Sequence, residues 1–129
     1  MKWLVLAIAF VAACKKQEAA PKQQRVTPMP AAEIQRSQDA CKTYVERICA
    51  CAERAPANGT GSPGGSLAPD VAKQCELARA LPEAVRIGLE VAASPDSQPD
   101  IVQQSYASVR KTAKECIEQT AKLPALGCQ

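Results

Sequence analysis

Residues 31–54 read AAEIQRSQDACKTYVERICACAER. Ile34, Cys41, Val45, Ile48 and Ala52 recur in this stretch at the three- and four-residue spacing that lines one face of an α-helix. Lys42 stands four residues before Glu46, where the two side chains meet on the outer face. Measured around the helix at about 100° per residue from Cys41, Cys49 lies at about +80° and Cys51 at about −80°. The two cysteines therefore flank the apolar stripe on opposite sides, and a helix from Ala31 to Arg54 can be stapled to two different neighbours at once. Residues two apart on a helix do not face each other, which argues against a Cys49–Cys51 bridge.

Downstream, Pro56 to Gly65 carries the turn-rich run Ala-Asn-Gly-Thr-Gly-Ser-Pro-Gly-Gly and reads as a flexible loop. A second helix follows, with Ser66 as its cap and Pro69 tolerated in its first turn. Val71, Cys75, Ala78 and Leu81 form its inner stripe. Pro82 kinks or restarts it, and Val85, Gly88, Leu89 and Ala92 carry the apolar face on to Ala93. After a Ser-Pro-Asp-Ser-Gln-Pro-Asp loop, the last helix runs from Pro99 to Lys122, with Val102, Tyr106, Val109, Ala113, Cys116 and Thr120 in a narrow arc. Lys111 with Glu115, Lys114 with Glu118 and Glu118 with Lys122 have i,i+4 spacing on its outside. Pro124 stops it, and Gly127-Cys128 turns the tail back. No stretch alternates with the period of a strand. The expected fold is all-α, a small three- to four-helix bundle stapled by disulfides.

That core is poor in large side chains. Trp3 and Phe10 lie near the start of the chain, leaving Tyr44 and Tyr106 as the aromatics of the rest. Each large aromatic buries about 150–250 Å², so covalent staples are expected to make up the difference. Of seven cysteines, six fall in the helical region: Cys41, Cys49, Cys51, Cys75, Cys116 and Cys128. Six is an even count, which would be the signature of three disulfides, with 15 possible pairings, if the chain is exported. In an up-down bundle Cys75 lies near the end of the first helix, which pairs it with Cys49 or Cys51. The rival use of these sulfurs is a thiolate site for a soft ion or a redox centre, since Cys49-x-Cys51 resembles pairs that hold Cu(I) or Zn.

The seventh cysteine has a different setting. Met1-Lys2 supplies a short positive start, Trp3 to Val11 is an unbroken apolar run, and Ala12 and Ala13 lead directly into Cys14. The run Val11-Ala12-Ala13-Cys14 resembles the lipobox of bacterial lipoproteins, whose usual form is Leu, a small or β-branched residue, Gly or Ala, and then Cys. Val11 stands where Leu is commonest. The resemblance implies a signal peptide over residues 1–13, a diacylglycerol thioether on Cys14, cleavage between Ala13 and Cys14, and attachment to a membrane by lipid. A membrane-spanning helix needs about 20 apolar residues, twice the length of this run. By the same resemblance, Lys15 in place of Asp after the lipid-bearing cysteine implies the outer membrane facing the periplasm, the outer face of the plasma membrane being the alternative. Residues 14–30 are rich in Lys, Gln, Ala and Pro and read as a disordered tether, leaving 31–129 as the cysteine-rich helical domain. The cysteine spacing of this body resembles small cysteine-rich helical lipoproteins of unassigned function.

Few function classes survive the composition. The chain has no histidine, so Ser-His and Cys-His nucleophile pairs are impossible, and no catalytic residue is assigned. From Ala31 onward there are 11 basic and 12 acidic residues, a near-neutral body without the clustered basic face that nucleic acid requires. Gly59-x-Gly61-x-x-Gly64 matches the dinucleotide fingerprint in letters only, since it follows a helix, contains Pro63 and has no strand before it. No cofactor and no metal are expected. The reading is a non-catalytic, lipid-anchored envelope protein whose helical body binds an envelope protein partner or supports an assembly. The alternative is a thiol-based metal-binding or redox protein of the periplasm.

Overall fold

The computed structural model describes residues 25–54 and 67–128. The signal segment, Cys14 with most of the tether, the loop 56–65 and the Ser66 cap lie outside the described residues. Within them the chain is all-α: α1 (Ala31–Arg54), α2 (Leu67–Ala78), α3 (Leu81–Ala93) and α4 (Pro99–Lys122), followed by a 3-10 turn, Leu123–Leu126. There is no strand among the described residues.

α2 and α3 are two pieces of one limb. Proline at 82 has no N–H to offer the carbonyl of Ala78, and its ring crowds that carbonyl. α2 accordingly ends at Ala78, the Ala80 N–H turns back to the Leu77 carbonyl at 3.3 Å, and α3 restarts with Pro82 in its first turn. The molecule thus has three limbs. Glu33 meets Arg110, Cys41 meets Cys116 and Cys51 meets Cys128, so positions advance together along α1 and α4 and the two run parallel. α3 packs antiparallel to α4 across the turn that joins them, bringing Gly88 against Ser105 and Val109. A side chain at Gly88 would meet Val109 Cγ2 at 2.7 Å, so the absence of Cβ is what allows this approach.

The core runs through all four helices: Cys41, Tyr44 and Ile48 of α1, Val71, Cys75 and Ala78 of α2, Val85 of α3, and Val109 and Cys116 of α4. The one buried polar side chain among the described residues, Ser37, donates to the Glu33 carbonyl at 2.9 Å. Tyr44 is only 5% exposed, and burial raises its phenol pKa above the ordinary value.

Both ends of the helical body are anchored by residues outside its main helices. Met29, inside the stretch read as tether, is 4% exposed and belongs to the core, so the packed body begins before Ala31. The Pro30 carbonyl accepts from the Glu33 and Ile34 N–H groups, placing Met29 just before the cap and Ile34 at the fourth helical position. That is the spacing of a hydrophobic staple. At the other end Gly127 takes a left-handed conformation (φ 74°), with its N–H bonded to the Pro124 carbonyl and the Cys128 N–H bonded to the Leu123 carbonyl. This pair of bonds is a Schellman motif, and it turns Cys128 inward beside buried Leu123.

Candidate functional site

The chemistry-bearing residues that the fold gathers are its cysteines. All six stand in three pairs at disulfide distance: Cys41 with Cys116, Cys49 with Cys75, and Cys51 with Cys128, at Cα separations of 4.9, 4.8 and 5.4 Å. These fall within the span a disulfide requires. Cys49 and Cys51 do flank the α1 stripe on opposite sides, one reaching α2 and the other the C-terminal tail. Cys75 has Cys49 as its partner, one of the two expected. Cys41 and Cys116 have no exposure at all, Cys75 and Cys128 very little, and Cys49 and Cys51 are half-buried near the end of α1.

The same arrangement bears on the metal reading. Cys49 and Cys51 point to different partners rather than to a shared centre. Among the described residues no group of three or more Cys, Asp or Glu side chains gathers where it could hold a metal ion.

Several charged groups are engaged with one another. Arg110 Nε donates to Glu33 Oε1 at 2.6 Å and Nη2 to Oε2 at 3.3 Å, a two-pronged contact that ties the start of α1 to α4. This contact holds the Glu33 carboxyl below, and the Arg110 guanidinium above, their ordinary ranges. Arg86 bridges Glu83 and Glu90 along α3, lowering the Glu83 carboxyl in the same way. Lys42 pairs with Glu46 and Lys114 with Glu118, at 3.9 and 3.7 Å.

A second feature was not legible from periodicity. Arg25, Val26 and Pro28 lie against Ala92, Pro99 and Val102, lining an open cleft of about 350 Å³ at the turn between α3 and α4. Two prolines around a single large apolar residue, Pro28-Met29-Pro30, are the signal that could have revealed an anchored segment there.

No family model, curated protein or solved structure matches this chain. Its function therefore has to be argued from its own residues. Among the described residues no helix is long and apolar enough to cross a membrane.

Proposed function

We propose that this chain is a lipid-anchored lipoprotein of the bacterial cell envelope. Lipid on Cys14 attaches it to the outer membrane facing the periplasm, and its helical body is a non-catalytic module that engages an envelope protein partner or assembly. The supporting observation is that the six body cysteines sort completely into three pairs, leaving Cys14 as the seventh. Complete pairing suits an oxidising compartment outside the cytoplasm, and a seventh, odd-numbered cysteine directly after an apolar run suits acylation. One acyl chain holds a protein only marginally while two or more anchor it stably.

Intact-mass measurement and thiol counting on protein purified from membranes test this reading. The expected product begins at Cys14, carries diacylglycerol and shows no free thiol, and a Cys14→Ser variant leaves the membrane fraction. A variant that matures and partitions unchanged would overturn the lipid anchor. Six free body thiols or bound metal would favour a thiol-based metal or redox protein instead.

A further inference from the structure

The fold places the first described residues at one end of the bundle. Because Cys41 of α1 is bridged to Cys116 of α4, the first seven or so residues of α4 project past the start of α1 by about 10 Å. Residues 25–30 run along that projection. Met29 is fixed in the core and Arg25 reaches the cleft beside Ser97 and Pro99. Arg25, the first described residue, thus lies at the tip of the α3–α4 hairpin, opposite the end where Cys49 and Cys51 are bridged. Ten residues lie between Cys14 and Arg25, and the eleven Cα-to-Cα steps span at most about 40 Å.

The same tip exposes apolar surface. Val91, near the end of α3, and Ile101, in the first turn of α4, are 37% and 39% exposed. Arg25 is the described cation beside the turn, while Asp96 and Asp100 are exposed on it, so the tip carries no positive excess. Among the described residues the tip thus sets two acids against one base, which disfavours an anionic surface.

We propose that the α3–α4 tip, flanked by Val91 and Ile101, is the face on which the body rests against a zwitterionic lipid surface. The cystine-rich end of the bundle is thereby turned outward. This orientation rests on the lipid anchor at Cys14, because the segment that carries that anchor joins the described body at this tip rather than at the other end.

Tryptophan reporters test it. The only tryptophan, Trp3, precedes Cys14, so a lipidated chain beginning at Cys14 contains none. Ile101→Trp and Val91→Trp report on the tip. Ile117→Trp and Leu77→Trp report on sites that are more exposed, at 60% and 66%, with Ile117 about 24 Å further along α4 than Ile101. Each lipidated protein is incorporated into phosphatidylcholine vesicles with brominated acyl chains.

The expected result is loss of most emission at the two tip positions, little loss at the other two, and no relief by added salt. Equal quenching at all four positions, or stronger quenching at Ile117→Trp and Leu77→Trp, in protein that sediments with the vesicles would overturn the orientation and leave the anchor standing. Protein that carries no acyl mass and stays in the supernatant would overturn both.

Discussion

Replacing Gly88 by alanine sets two well-defined effects against each other. Alanine is favoured over glycine in a helix interior by about 0.8–1.0 kcal/mol. Against this, the new methyl would lie 2.7 Å from Val109 Cγ2, where carbon atoms in good contact stand about 3.5–4.0 Å apart. Val109 is 1% exposed and β-branched, with essentially one χ1 available in a helix, so its methyl cannot swing aside. Relief must come from parting α3 and α4, and overpacking of this kind costs about 1–3 kcal/mol. The steric effect wins, giving a net loss of up to about 2 kcal/mol, the difference of those two figures. In a domain of this size each kcal/mol moves Tm by about 4–8 °C. Thermal melts of the oxidised protein, followed by circular dichroism, read the shift directly. The decisive comparison repeats Gly88→Ala in a Val109→Ala background, where the obstructing methyl is gone and the helix preference alone should stabilise by about 1 kcal/mol. Equal effects in the two backgrounds, or stabilisation by Gly88→Ala alone, would refute the close approach.

Three further outcomes follow from the described geometry. Among variants that each retain one bridge, Cys49–Cys75 closes a separation of 26 residues and the others 75 and 77. Chain entropy then assigns about 3.5 kcal/mol to the first and about 4.5 to either of the others, so urea midpoints should place the Cys49–Cys75 variant lowest, and finding it highest would contradict the loop assignment. Acidification should erode stability: with the Glu33 and Glu83 carboxyls held low in the folded state, their contribution is complete above the ordinary carboxylate value of 4.5 and is lost as pH falls below it. Raised Tyr44 gives the opposite limb, with stability falling as pH climbs past 10.0; denaturant midpoints across pH should show both declines, and a Glu33→Gln protein whose acid limb is as steep as the parent's would remove Glu33 from the account. Gly127→Ala meets no neighbour within 4 Å, so its cost is the left-handed backbone alone, about 1–2 kcal/mol, read as a lower Tm and faster reduction of Cys51–Cys128; an unchanged melt would exclude strain at that turn.

Local rules were enough for much of the architecture. α1 and α4 begin and end at the residues where periodicity and proline place them, and the break before α3 follows from one missing N–H at Pro82. The preference of Cys75 for Cys49 or Cys51 was legible because consecutive limbs of a bundle must lie side by side. The choice between those two was not, since Cys51 is claimed by Cys128 only after Gly127 has reversed the tail. Nor could periodicity show that Glu33 faces Arg110, 77 residues away, because that contact depends on how far α4 slides along α1. Met29 was missed for a different reason: a lone apolar side chain in a polar stretch has no period, and its burial is decided by the helix end it caps.

The spans bridged by the cystines overlap: Cys41–Cys116 and Cys51–Cys128 interlock, and Cys49–Cys75 lies across the gap between α1 and α2. Any one peptide bond between Cys41 and Cys128 is therefore straddled by at least one bridge. A protease that nicks the chain once in this interval, whether in the 55–66 segment or at the 94–98 turn, severs the backbone without liberating a fragment. Two sequence-distant pieces would remain one covalent molecule, shed only when a reductant follows the protease.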